Sequence, residues 1–207
     1  MTADSNMPAE PNAHDYFASL YQDSDDPWLL RERWYERRKR ALTLAALPDE
    51  HYRRAYEPGC ANGELTVELA ARCDTLLAAD LNPAAVDLAR RRVSPLRNVQ
   101  VEQRAMPDDW PDGEFDLIVI SEVAYYLNER QLAGLATRLT ASLAKGGTVI
   151  ACHWRRAIKG WPYSGDHVHT ELRAKLALSP LSHYQDDDMV LDVWSSNKAS
   201  VHQREAR

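Results

Sequence analysis

The feature that most constrains this chain is an alternation of short apolar runs with amphipathic stretches between Arg53 and His153. Strands are expected at Arg53–Glu57, Thr75–Asp80, Val99–Gln103, Phe115–Ser121 and Thr148–His153. Helices are expected between them, near Gly63–Arg72, Pro83–Val93 and Glu129–Leu143. Apolar strands separated by helices pair in parallel and bury both sheet faces. Right-handed crossovers then produce a doubly wound open sheet. The chain ends differently. A helix near Asp166–Leu178 precedes two strand-like runs, Pro180–Gln185 and Met189–Ser195, joined through Asp186-Asp187-Asp188. Turn-forming acids between such runs point to a hairpin. The expected fold is α/β: a mostly parallel, seven-stranded, Rossmann-like sheet finished by an antiparallel hairpin.

The 207 residues suffice for one ordinary α/β domain. Residues 1–25 read as a flexible lead-in, 26–50 as an N-terminal helix or lid, 51–197 as the main domain and 198–207 as a tail. Asp26-Pro27 has the chemistry of a helix start, so the N-terminal helix is expected from Trp28 to Leu47. The formal charge of −6 argues against a nucleic-acid partner, which needs a positive field over much of the surface. The basic run RERWYERRKR is broken by Glu32 and Glu36 and lacks a base-stacking platform. No stretch is apolar for long enough to cross a bilayer, and no secretory leader is evident. Cys60, Cys73 and Cys152 have no paired spacing, which fits reduced thiols and a cytoplasmic setting.

The first strand runs through AYEPG into CANGELTVELAAR. In doubly wound sheets, ligands bind at the carboxyl ends of strands, and the first strand–loop–helix is the usual place. A dinucleotide site wants G-x-G-x-x-G, but here Ala61 and Glu64 stand where the second and third glycines belong. That disfavours a nicotinamide-dependent oxidoreductase. What remains is E-x-G-x-x-x-G, with Glu57 ahead of Gly59 and Gly63. Glu57 would repel a pyrophosphate and attract an ammonium. Asp80, ending the second strand, can accept hydrogen bonds from ribose hydroxyls. The set therefore suits S-adenosylmethionine.

These residues resemble the class I methyltransferases. EPGCANG is similar to their first motif, AADLNP to their second-strand acid, FDLIVISEVAYYL to their fourth strand and SLAKGGTVIACH to the turn into the fifth. SEVAYYL and the size resemble, more narrowly, the nodulation protein S family, which N-methylates the free amine of a deacetylated chitooligosaccharide. The resemblance implies that Glu57, Gly59, Cys60, Ala61 and Gly63 line the methionine end of the cofactor. It implies that Asp80 holds the ribose, that Leu81, Ala105 and Met106 border the adenine, and that Ser121 and Glu122 lie beneath the methionine and sulfonium. Two departures matter. Ala61 replaces a common glycine, which a negative φ would tolerate, and Arg104 stands where relatives carry an Asp facing the adenine.

Three groups are candidates for the acceptor side. Glu122 and Tyr126 follow the fourth strand, and Glu122 could orient an ammonium or take its proton. His153 is a second candidate base. WPYSGDHVH (161–169) adds aromatic faces suited to a sugar or cationic amine. A metal site on Asp166, His167 and His169 is disfavoured for want of a second cluster. Tyr35 and Lys39 are expected to close over the cofactor carboxylate as a lid. The expected activity is methylation of a small-molecule or oligosaccharide amine, with O- or S-methylation in a natural-product pathway as the alternative.

Overall fold

A computed structural model describes residues 12–205. Seven strands form one sheet: β1 Tyr52–Pro58, β2 Cys73–Asp80, β3 Val99–Gln103, β4 Phe115–Ser121, β5 Leu143–Trp154, β6 Ser179–Gln185 and β7 Met189–Ser195. Their order is β3-β2-β1-β4-β5-β7-β6. The first five are mutually parallel, and β7 runs antiparallel to both β5 and β6. The helices are α1 Ala13–Asp23, α2 Trp34–Ala45, α3 Glu64–Ala70, α4 Pro83–Val93, α5 Glu129–Ala141, α6 Gly165–Lys175 and α7 Val201–Glu205. Strand order reverses between β1 and β4. The crevice at their carboxyl ends is where a doubly wound sheet takes its ligand.

The core explains the register. β4 alternates so that Ile118 and Ile120 join the cluster containing Leu132, Leu135 and Leu139 of α5. Leu117 and Val119 face the opposite cluster with Leu65 and Leu69 of α3. All four strand residues are at most 1% exposed. Each contributes roughly 1.5–3 kcal/mol by burial, and a one-residue slip would invert both faces. Asn128 caps α5 in a reciprocal capping box with Gln131, and Asn82 caps α4 ahead of Pro83.

Three expectations are corrected. Residues 13–23 form a helix, capped by Asn12, rather than part of a flexible lead-in; residues 1–11 lie outside the described residues. The second helix starts at Trp34, not Trp28. Asp26 instead accepts the amides of Leu30 and Arg31 at 2.8 and 3.1 Å and the Asn62 side-chain amide at 3.1 Å. That acid closes a turn and ties it to the β1–α3 loop. Finally, part of the tail forms α7, where the Arg204 side chain is 6% exposed and pairs with Asp49 at 2.5 Å.

Candidate active site

A cavity of about 1420 Å³ opens at the carboxyl ends of β1, β2, β4 and β5. Its walls include Glu57, Gly59, Cys60, Ala61, Asp80, Leu81, Ala105, Met106, Ser121 and Glu122, together with Tyr35 and Tyr126. Almost every residue expected at the cofactor or acceptor therefore converges on one space.

Two glycines do different work. Gly59 has φ of +78°, and a Cβ there would come within 2.8 Å of Val123, so this loop and the one after β4 touch directly. Gly63 has φ of +82° and does not line the cavity; its missing Cβ lets α3 approach Ala89 of α4. It shapes the cradle through helix packing. Ala61 does not meet the condition of a negative φ, since its φ is +49°. A left-handed alanine costs about 1–2 kcal/mol. Its amide donates to Asp80 at 2.9 Å, an anchor that offsets part of that strain.

Asp80 also accepts the Asn82 amide at 2.9 Å. The Leu81 amide also bears on it, and a carboxylate offers about four acceptor directions, so about one remains for the ribose hydroxyls. Burial pushes its carboxyl up, against the pull of those backbone donors. Glu57 is 3% exposed, and its Oε2 has no partner among the described residues. Burial, with a smaller contribution from the nearby Asp80, pushes its carboxyl up to about 8. A buried carboxyl whose Oε2 lacks a hydrogen-bond partner is costly to ionise beside Asp80, and a cationic ligand group would offset that cost. The donor set fits S-adenosylmethionine, whose ammonium and ribose match Glu57 and Asp80. Arg104 spends its guanidinium on Glu102 and Asp109 at 2.5 and 2.7 Å, which leaves backbone and apolar contacts for the adenine.

On the acceptor side the structure reassigns two candidate bases. Glu122 lies at φ +55° and accepts from Lys39 Nζ (2.9 Å), Tyr35 (3.0 Å), Tyr125 (2.6 Å) and the Trp154 amide (2.9 Å). Burial would raise its carboxyl, but Lys39 and the other donors reverse this and hold it at about 2. A carboxylate so engaged is a poor base. It is the anchor on which α2 is fastened. His153 does not line the cavity, is fully buried, and is held between the Ala124 amide and His169. Burial, reinforced by His169, lowers it to about 3. The lid expectation changes with them. Lys39 pairs with Glu36 at 2.6 Å and with Glu122, which leaves its ammonium one further donor, and the Tyr35 hydroxyl proton is spent on Glu122, while both residues line the cavity.

Tyr126 does face the cavity, within an aromatic cluster with Tyr16, Phe17 and Trp161. The contributions of Tyr16, Phe17 and Tyr21 from α1 were not anticipated. Tyr21 lines the cavity, and its buried hydroxyl has no partner among the described residues. An Asn cap followed by aromatics at positions 16, 17 and 21 is the available signal. In the 161–169 segment, Asp166 pairs with Arg155, His169 with Asp192, and His167 stacks on Tyr163. Among the described residues, no group of His, Cys, Asp and Glu is arranged to hold a metal, and no helix is long and apolar enough to cross a membrane.

The switch-point crevice, the Glu57–Gly59 cradle and the Asp80 acid give the chain the class I methyltransferase fold with a donor set that fits S-adenosylmethionine. A profile of nodulation protein S (NodS) matches residues 12–183, and the chain belongs to that family. Nodulation protein S of Rhizobium tropici is 33% identical over 141 residues, 66% of this chain and 59% of that protein. The match to the first curated relatives thus spans about three fifths of their length. A solved protein from Pseudomonas syringae, assigned as a methyltransferase, is 47% identical with a TM-score of 0.71, covering 79% of this chain and 99% of that one. The N-methyltransferase NodS from Bradyrhizobium japonicum, solved with S-adenosyl-L-homocysteine, is 27% identical with a TM-score of 0.77, covering 86% and 97%.

Proposed function

We propose that the protein methylates the free amine of an amino sugar of the glucosamine type. The observation that carries this reading is the saturation of Glu122 by four donors. With Glu122 held ionised, His153 outside the cavity and the Tyr126 phenol pushed up by burial, none of the three candidate side chains is a strong base at neutral pH. The acceptor must therefore arrive with its own lone pair. A weakly basic amine does so, whereas an alcohol needs its proton removed. S-adenosylmethionine, when bound, supplies the methyl group on a sulfonium.

The chain's own task is then alignment and exclusion of water. Glu57 takes the ammonium and Asp80 the ribose. Leu81, Ala105 and Met106 border the adenine, while Cys60, Ala61 and Ser121 line the methionine end. Tyr35, fixed by Glu122, closes the wall beside Trp154, its ring 5.1 Å from that indole. Tyr126, Trp154 and Trp161 offer faces for a sugar ring. The test is transfer of labelled methyl to a glucosamine-terminated chitooligosaccharide and to its N-acetylated form. Label is expected on the free amine only. Equal labelling of both forms would point to a hydroxyl acceptor and overturn the amine assignment.

A further inference from the structure

Behind the cavity lies a buried chain of polar side chains that the reaction does not touch. His153 Nε2 lies 3.2 Å from the Ala124 amide nitrogen, and its Nδ1 lies 3.0 Å from His169 Nε2. His169 Nδ1 in turn lies 2.6 Å from Asp192 Oδ2. His153 and His169 are 0% exposed and Asp192 is 4% exposed. Arg173 and His183, both partly exposed, complete the acid's shell at 2.6 and 2.9 Å.

Donor counting fixes every proton in this chain. A backbone N–H can only donate, so His153 Nε2 must accept from Ala124. Neutral His153 then carries its proton on Nδ1 and gives it to His169 Nε2. His169 must carry its proton on Nδ1 and give it to Asp192. All hydrogen bonds point one way, from the loop after β4 to an ionised acid on β7. The packing that permits this is equally specific. A Cβ on Gly165, at the start of α6, would overlap the Trp154 carbonyl oxygen and sit 2.9 Å from His153 Cβ. Glycine there lets α6 lie close enough for His169 to reach His153.

We propose that His153, His169 and Asp192 form a positioning relay that fixes the loop Glu122–Leu127 for methyl transfer. This rests on the reading that the acceptor binds at Tyr126. The loop is under tension between two tasks. At one end Val123 packs on Gly59 in the cofactor cradle, and at the other Tyr126 faces the acceptor. Ala124 lies between them with a buried amide that the β4–β5 ladder does not reach, and the imidazole supplies its acceptor. The relay is not a proton exit. His153 Nε2 is occupied by the Ala124 N–H, and the ring has no face on the cavity. Its role is to set the height and rotation of the short 3₁₀ turn Ala124–Tyr126.

Two measurements test this. In protein labelled with ¹⁵N-histidine, long-range ¹H–¹⁵N spectra at neutral pH should show His153 and His169 as Nδ1–H tautomers. An Nε2–H tautomer at His153 would overturn the relay without any variant. The second compares His153→Gln with His153→Leu, using the glucosamine-terminated oligosaccharide as acceptor. Gln can accept from Ala124 and donate to His169, so kcat should stay within about threefold of the parent. Leu orphans the amide, and kcat/KM for the acceptor should fall about tenfold or more while S-adenosylhomocysteine affinity changes less than about threefold. Equal rates for the Gln and Leu variants, or a parallel loss of cofactor affinity, would show that His153 does not position the acceptor loop. Failure of the unaltered protein to methylate the oligosaccharide would overturn the amine reading instead, and the tautomers alone would then decide the relay.

Discussion

Glu57→Gln is expected to stabilise the cofactor-free protein at pH 7 while weakening S-adenosylhomocysteine binding by about a hundredfold. Both effects come from one buried carboxyl. Burial raises Glu57 from its ordinary 4.5 to about 8 in the folded protein. A raised folded value means that the group's favourable contribution is complete below pH 4.5 and declines as pH rises, disappearing above about 8. At pH 7 the unfolded chain gains from ionising Glu57 and the folded chain does not. Gln removes that gain, which is worth on the order of 3–4 kcal/mol at 1.36 kcal/mol per pH unit between 4.5 and 7. The opposite sign on binding follows from the ammonium of the ligand, which needs a charge that Gln lacks. Binding to the unaltered protein should therefore release about one proton near neutrality, seen as a dependence of the calorimetric heat on buffer ionisation enthalpy. A variant that binds normally and shows no gain in denaturation midpoint would remove Glu57 from the ammonium site.

Lys39→Met is expected to destabilise the fold by about 3–5 kcal/mol. Lys39, 4% exposed, is the cation between two buried or half-buried carboxylates, Glu36 at 2.6 Å and Glu122 at 2.9 Å. Methionine fills similar space but leaves both carboxylates without their countercharge. Burial already raises Glu36, opposed by Lys39, so losing the lysine drives it to take up a proton. The deficit should therefore shrink as pH falls and grow as pH rises. Denaturant titration at two pH values measures this, and adding Glu36→Gln should recover part of the loss. If the deficit is constant with pH, packing rather than charge holds α2 to the body.

How far the chain could be read in advance differs between its parts. The bounds of β3, β4, β7 and α4 in the structure match those expected from sequence: α4 has its own Asn82 cap and an amphipathic face, and β4 and β7 are nearly continuous buried runs. The helix at Asp26 failed for the opposite reason. An Asp-Pro pair can cap a helix or close a turn, and the choice here is made by Asn62, 36 positions away, which binds the same carboxylate. α1 fell within the expected lead-in because the segment running into it is polar, rich in Pro and Asn and without a period, and the helix itself buries no residue fully. Its Tyr16, Phe17 and Tyr21 gain their partners from Tyr126, Trp161 and Trp28, on distant segments.

The site shows the same division. Glu57, Gly59 and Asp80 were legible because one β-α-β unit carries them at fixed spacing. Gly63 was found in the motif, yet its role is in helix packing rather than ligand contact. Glu122 and His153 were found as ionisable groups at strand ends, but their chemistry depends on what surrounds them. Four donors make one an anchor, and His169 and Asp192 make the other part of a buried chain. Nothing local in SEVAYYL or ACHW specifies those partners.

The cradle at Glu57, Gly59 and Asp80 is expected to take an adenosylmethionine rather than a dinucleotide. Isothermal calorimetry with S-adenosylhomocysteine and NAD on the same protein tests it most directly. Saturable one-to-one binding of S-adenosylhomocysteine with no heat from NAD is the predicted result; binding of NAD without S-adenosylhomocysteine would contradict it.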